Sequence, residues 1–185
     1  MKKENKLTLL IYDLASIVVT GIVAIAIIFT FFIRTAGVSG FSMLPTLNHG
    51  DVLAISAHYT DVTKGDIIII TQPNSFHEPL VKRIIATEGD EIDIDFDEGV
   101  VYVNKEALDE PYTKTPTNLA HDFEGPVVVP EGKVFVMGDN RNGSSDSRSS
   151  SVGFIDTRYI YGKVLGRLAP FGQWDVYQVG ENNGY

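Results

Sequence analysis

The chain contains no cysteine, and this absence removes several classes of function. Without thiols there can be no disulfide, no thiolate nucleophile and no cysteine-based zinc or iron–sulfur site. The four histidines are His49, His58, His77 and His121. They show no metal-ligand spacing such as His-Glu-x-x-His, which argues against a metalloprotease. We therefore expect neither a metal ion nor a cofactor.

Positive charge is also scarce. The 185 residues include 15 Lys and Arg but 24 Asp and Glu, which gives a net charge of −9. Binding to nucleic acid requires clustered cations that displace counterions from phosphates, and no basic stripe is present. We therefore expect no nucleic-acid partner.

One long stretch near the N-terminus lacks charge altogether. Residues 14–33 are twenty uncharged residues dominated by Ile, Val, Ala and Phe, which matches the ~20 residues that a helix needs to cross a bilayer. A cleaved secretory signal has a shorter apolar core of about 7 to 15 residues, so the pattern favours a retained anchor. Because Lys2, Lys3 and Lys6 precede the run, we expect a cytoplasmic N-terminus. We place a cytoplasmic tail, a transmembrane anchor and an extracytoplasmic domain at residues 1–7, 8–33 and 34–185.

After the anchor, short apolar runs alternate with Gly, Pro, Asn and Asp, which is typical of a mainly β domain. The predicted strands are residues 51–57, 66–71, 80–87, 91–96, 100–103, 133–137 and 159–168. Residues 95–99 (Asp-Phe-Asp-Glu-Gly) read as a hairpin connection. The acidic segment from about 90 to 130 separates two motif-bearing strands, so we interpret it as an inserted second lobe.

A serine stands in a short apolar loop soon after the anchor. The sequence Gly-Phe-Ser-Met-Leu-Pro-Thr-Leu at residues 40–47 places Ser42 between Gly40, which permits close backbone approach, and Pro45, which stiffens the turn. The apolar side chains of this loop are Phe41, Met43 and Leu44. We expect them to form an exposed patch that rests on lipid. The loop fits a nucleophile, but it also fits ordinary core residues that enter a first strand.

The strand at residues 80–87 carries two adjacent cations. Alternation puts Lys82 and Arg83 on opposite faces, so one of them shares an apolar face. A buried ammonium loses hydration and its pKa falls, which makes the neutral amine available as a base for a serine hydroxyl. The alternative is that Lys82 extends to water along its methylene groups, as most strand lysines do.

A polar loop follows the predicted strand 133–137. Its sequence at residues 138–148 is Gly-Asp-Asn-Arg-Asn-Gly-Ser-Ser-Asp-Ser-Arg. Its Asp and Arg residues can brace the loop by charge-assisted hydrogen bonds, and its serines can orient a neighbouring amine. Taken alone, the same string also describes a solvated loop.

Together these motifs resemble the type I signal peptidases, membrane-bound Ser-Lys proteases that remove signal peptides from exported proteins, and in particular their Gram-positive branch. The matching stretches are residues 40–47, 64–68 (Lys-Gly-Asp-Ile-Ile), 81–85 with 89–90, and 134–148 with 153–154. The resemblance implies an antiparallel β catalytic lobe with a smaller inserted β lobe, preceded by one transmembrane helix.

The resemblance also assigns roles to residues. It implies that Ser42 is the nucleophile, that Lys82 is the general base, and that Ser144 hydrogen-bonds the lysine amine and orients it. Residues that would hold the loop carrying Ser144 are Asp139, Arg141, Asp146 and Arg148. Some family members use a serine hydroxyl at the position of Gly40 as an oxyanion donor, so a compensating donor is expected beside the Ser42 amide. Residues 86–90 also depart from the family's apolar-Pro pattern.

The implied reaction is acyl transfer through an acyl-enzyme, without a cofactor. The expected partners are the signal peptides of secreted preproteins, with small residues at the first and third positions before the cut, and the lipid bilayer. An extended peptide would bind by strand addition. The expected location is the cell membrane, crossed once.

Two other functions compete with this one. A membrane-anchored assembly factor of the same fold, for example in pilus biogenesis, would be expected to lack the nucleophile or the base, whereas Ser42 and Lys82 are both present. A self-cleaving Ser-Lys repressor would need a DNA-binding helix pair where this chain has its membrane span.

Overall fold

The computed structural model describes residues 2–31, 33–56, 59, 61–73 and 77–170. The chain divides into two compact units, Met1–Arg34 and Thr35–Tyr185. Residue 57 of the first predicted strand, His58 and residues 171–185 lie outside the described residues.

The first unit contains the helix α1 (Lys2–Phe31). Its segment Lys6–Ile27 is long and apolar enough to cross a membrane, since 22 residues at 1.5 Å each span about 33 Å. The helix ends at Phe31, and Ile33, which the uncharged run had placed in the anchor, begins a strand.

In the described part of the second unit, the regular secondary structure is β apart from short 3-10 turns, which confirms the mainly β prediction. The strands are β1 (Ile33–Gly37), β2 (Val52–Ser56), β3 (Ile67–Ile70), β4 (Leu80–Thr87), β5 (Glu91–Asp95), β6 (Val100–Val103), β7 (Glu106–Ala107), β8 (Val127–Val128), β9 (Lys133–Met137), β10 (Ile155–Asp156) and β11 (Ile160–Ala169). Short 3-10 turns lie at Arg141–Gly143 and Thr157–Tyr159.

Three predicted strands, β4, β6 and β9, have the expected bounds, and the others differ by one residue at their described ends. The predictions missed β1 and the two-residue strands β7, β8 and β10. A two-residue strand has too little sequence to show alternation, and only its pairing partner defines it.

The larger sheet has seven strands in the order β1-β2-β11-β3-β4-β9-β10. Strand β4 lies inside this sheet, antiparallel to β3 on one side and to β9 on the other. Lys82 stands opposite Ile68, and Arg83 stands opposite Ile67. A register shift between Ile84 and Ala86 bends the strand. Because β4 is an inner strand, both cations are buried rather than one, with exposed fractions of 3% for Lys82 and 2% for Arg83.

The smaller sheet has the order β7-β6-β5-β8 and is built from the acidic segment. Strands β5 and β6 form the predicted hairpin, with turns at residues 96–99. On β5, buried Ile92 and Ile94 alternate with exposed Asp93 and Asp95. The buried face packs on residues of the larger sheet, and this shared core includes Ile85, Ile92, Ile94, Val101, Phe135 and Met137.

Candidate active site

The side chains of Ser42 and Lys82 meet in the second unit. Lys82 Nζ lies 2.7 Å from Ser42 Oγ, within hydrogen-bond distance. Ser42 belongs to the loop between β1 and β2, and Lys82 comes from the inner strand β4. A hydroxyl donates to an amine when the amine is neutral, so the pair can pass a proton from oxygen to nitrogen.

The environment of Lys82 favours its neutral form. Burial lowers the pKa of Lys82 to about 8, because the ammonium loses its hydration, and the charge of Arg148 acts in the same direction. The carboxylates of Asp146 and Asp139 act in the opposite direction, but they do not outweigh burial. The structure therefore excludes the alternative in which Lys82 extends to water.

Both of these carboxylates are bound by arginines rather than by the lysine. Arg83 Nε and Nη2 donate to Asp139 at 2.8 and 2.6 Å. Arg148 Nε and Nη2 donate to Asp146, both at 2.8 Å. These hydrogen bonds and the charge of Arg148 hold the pKa of Asp146 below its usual value although burial acts to raise it. Within the described residues no carboxylate forms an ion pair with Lys82.

The loop that carries Ser42 is fixed to the loop after β9. The Asn140 amide N–H donates to the Ser42 carbonyl at 2.9 Å, and Asn140 Nδ2 donates to the Phe41 carbonyl at 3.1 Å. The Thr46 hydroxyl donates to Asp139. Asp139 therefore connects β4, through Arg83, with the Ser42 loop.

One expectation about the Ser42 loop needs correction. For Gly40 the structure gives a φ of +94°, a conformation that favours glycine, and a Cβ at this position would meet nothing within 4 Å. The apolar patch is smaller than expected. Phe41 is 61% exposed, whereas Met43 is only 2% exposed and packs in the core with Leu47. The core interpretation was therefore right for Met43.

The structure places Ser144 against this loop, at a glycine that the sequence did not single out. A Cβ added to Gly138 would overlap Ser144 Oγ and the Ser42 carbonyl oxygen. The Ser144 hydroxyl is buried and completes no hydrogen bond within the described residues, although its proximity to Asp146 contributes to the lowered pKa of that carboxyl. The expected bond from Ser144 to the Lys82 amine is therefore not formed in this structure. The absence of a side chain at Gly138 makes room for both serines.

The bracing of the loop after β9 also differs in part from the expectation. Asp146 and Arg148 pair within the loop, as predicted. Arg141 instead binds Glu110 of the acidic segment, and Asp139 binds Arg83 of β4. Tyr112 lies against the Arg83 guanidinium, 3.9 Å from ring centroid to Cζ. Sequence reasoning did not predict Arg83 and Glu110 as the partners of Asp139 and Arg141. A charge in a loop does not reveal which distant charge it will meet.

An apolar cleft opens beside Ser42 and Lys82, with a volume of about 430 Å³. Its lining includes Ala36, Val38, Ser39, Met43, Ile69, Leu80, Val81 and Tyr161. The Val38 amide and carbonyl are already bonded to Asp51 and Gly50.

The backbone amides near Ser42 are candidate donors to a negatively charged oxygen. The Ser42 amide has no acceptor among the described residues, whereas the Gly40 amide donates to His49 Nδ1 at 3.2 Å. The second donor is thus not supplied by Gly40 in this arrangement. Within the described part of the chain, no group of three or more His, Asp or Glu is placed to hold a metal ion.

The chain is similar to several known proteins. A family profile described as "Signal peptidase, peptidase S26" matches residues 11–169. A Synechocystis protein described as "Probable signal peptidase I-2" is 34% identical over 97% of this chain and 80% of its own length. The signal peptidase I of Bacillus licheniformis is 35% identical over 93% of this chain and 95% of its own length. A crystal structure of a signal peptidase I from Enterococcus faecalis is 26% identical, with a TM-score of 0.47, and covers 57% of this chain and 98% of that one.

Replacing Gly138 with alanine tests the close packing of the two serines. The added methyl group must displace Ser144 or the Ser42 loop, so we expect Gly138→Ala to lower the free energy of unfolding by about 1 to 3 kcal/mol. Denaturant unfolding of the full chain in detergent measures this change. Gly37→Ala is the control, because its methyl group meets open space and it restricts the unfolded chain equally. Equal stability of the two variants would contradict the packing described.

Proposed function

The chain belongs to the signal peptidase family, peptidase S26, and from that premise we propose that Ser42 is its nucleophile and Lys82 its general base. It is a membrane-bound serine peptidase that removes signal peptides from preproteins. The comparisons do not favour the non-catalytic assembly factor. The observation that carries the residue assignment is the 2.7 Å contact between Ser42 Oγ and the buried Lys82 Nζ.

The first half of the reaction begins with neutral Lys82. The amine takes the Ser42 proton while Ser42 Oγ attacks the scissile carbonyl carbon, and a tetrahedral intermediate forms. The resulting ammonium then gives its proton to the leaving amine, the C–N bond breaks, and an acyl-enzyme remains. With a pKa of about 8, about one lysine in ten is neutral at pH 7, compared with about one in three thousand at the ordinary pKa.

The second half releases the product. Neutral Lys82 takes a proton from water, the water oxygen attacks the acyl carbon, and the protonated lysine returns the proton to Ser42 as the ester bond breaks. The Ser42 amide, which has no acceptor among the described residues, is suited to donate to the oxyanion in both halves. Ser144 would orient the amine, from a loop held by Asp139, Arg141, Asp146 and Arg148.

The substrate would bind in the apolar cleft as an extended strand. Residues 36–40 line the cleft beside Ser42, which supports pairing of this segment with a peptide by strand addition. Apolar side chains such as Ile69, Leu80 and Val81 leave shallow space for small residues before the cut. The acidic segment at about 90–130 would be a second lobe that supports the catalytic lobe, whose residues lie within 34–185.

The N-terminal apolar helix and the signal peptidase relatives indicate membrane anchoring. For its orientation we propose a cytoplasmic tail at residues 1–7, one crossing within residues 8–33, and a catalytic domain outside. Lys2, Lys3 and Lys6 before the apolar segment support this orientation through the positive-inside tendency.

Removing either reacting group tests the assignment. We expect Ser42→Ala and Lys82→Met each to reduce kcat for cleavage of a preprotein in detergent by at least about a thousandfold, because neither half of the reaction can proceed without both. Methionine suits the buried site of Lys82 without a charge, so thermal unfolding should show an intact fold.

Two matched variants serve as controls for this assay. Ser39→Ala removes another serine that lines the same cleft, and Lys64→Met removes an exposed lysine paired with Asp90. Both should keep kcat within about threefold of the parent. Ser39→Ala removes a hydroxyl that takes no part in the proposed reaction, and the surface ion pair lost in Lys64→Met contributes little. Full cleavage by Ser42→Ala or Lys82→Met would refute the assignment.

The absence of cysteine allows a clean test of orientation. A single cysteine at exposed Glu98, in the turn between β5 and β6, should react with a membrane-impermeant maleimide on intact cells. A single cysteine at Asn5 should react only after lysis. Labelling of the Asn5 variant, but not of the Glu98 variant, on intact cells would reverse the proposed orientation.

A further inference from the structure

His121 reaches the residue that the proposed mechanism uses to orient Lys82. Its Nε2 lies 2.9 Å from the backbone carbonyl oxygen of Ser144. Because a carbonyl only accepts, Nε2 carries a proton and donates it, which both the neutral ring and the imidazolium can do. The backbone of His121 has φ 54°, a left-handed conformation that is uncommon for residues other than glycine. The contact therefore comes from a residue whose backbone conformation is itself unusual.

The contact belongs to a larger set of bonds between the acidic segment and the loop after β9. We refer to residues 117–122 as the strap. Arg141 donates to the Thr117 hydroxyl, and Asn142 Oδ1 accepts from the amides of Asn118 and Leu119. Arg148 donates to the Leu119 carbonyl. His121 bonds to the Ser144 carbonyl, and Asp122 accepts from the Ser150 amide. Among these bonds, the one from His121 is made to Ser144 itself.

Two other contacts involve the Ser144 side chain. Its buried hydroxyl lies close to Asp146, whose pKa it helps to lower, but it completes no hydrogen bond within the described residues. Its side chain lies against Gly138, which offers no side chain to hold it. The strap bonds to Ser144 at its backbone carbonyl. Through this bond the strap can fix the position of the Ser144 side chain.

We propose that His121 is a positioning residue for the peptidase reaction, which acts by holding Ser144 where its hydroxyl can meet the Lys82 amine. This inference rests on the role proposed above for Ser144. It assigns a catalytic contribution to the acidic segment, which otherwise contains no reacting group. The competing interpretation is that His121 merely stabilises the strap, in which case its loss would lower stability but leave kcat unchanged.

The test measures kcat and KM of the full chain in detergent with a preprotein substrate. We expect His121→Ala to lower kcat by about ten- to a hundredfold, the scale of a small misplacement in an active site, with KM changed less than about twofold. His121→Gln should restore most of kcat, because its amide nitrogen can donate at similar reach. Asp122→Ala is the matched control, since it removes a strap bond to Ser150 rather than to Ser144, and it should leave kcat nearly unchanged.

A double-variant comparison shows whether His121 acts through Ser144. Ser144→Ala should lower kcat by itself, and adding His121→Ala should cause no further loss. Full kcat in His121→Ala, or the same loss with and without Ser144, would overturn the inference. Full kcat in Ser144→Ala would instead remove the proposed role of Ser144, and cleavage by Ser42→Ala would remove the proposed catalytic pair, so the three failures can be distinguished.

Discussion

The proposed chemistry depends on a buried lysine that forms no ion pair with any carboxylate in the part of the chain that the structure describes. A buried ammonium normally takes an acidic partner, and such a partner would keep it protonated. Two carboxylates, Asp139 and Asp146, are close enough to Lys82 to raise its pKa, yet each is bound through two hydrogen bonds to an arginine. The charge of Arg148 opposes these carboxylates, the loss of hydration prevails, and the lowered pKa of the amine suits its proposed role as a base.

The same ion pairs also assemble the site in space. Arg83 follows Lys82 on β4 and donates to Asp139. Asp139 also accepts from Thr46 of the Ser42 loop. The strand that carries the proposed base is thus connected to the loop that carries Ser42. Asn140, the residue after Asp139, bonds to the main chain of Ser42 itself. One short segment after β9 thus couples the electrostatics of the lysine to the position of the serine. A change in either ion pair would alter both.

Local patterns in the sequence predicted much of the fold but little of the pairing between distant residues. Strands β4, β6 and β9 were predicted with their bounds, because alternation and turn residues are local properties. The partners Arg83–Asp139 and Arg141–Glu110 were missed, since charges separated by 56 and 31 positions meet only through the tertiary fold. Ser42 and Lys82 are likewise 40 positions apart. Their association was expected from the family resemblance, while the residues alone left other interpretations open.

Titration of the Lys82 amine tests the central claim most directly. In full-length protein with ¹³C at the lysine Cε positions, held in detergent micelles, the signal missing from Lys82→Met identifies this residue. We predict that its chemical shift changes with a midpoint near pH 8, because burial lowers the pKa to about that value. A midpoint near the ordinary lysine value of about 10.4 would show that burial does not lower the pKa of this amine, and would contradict the account.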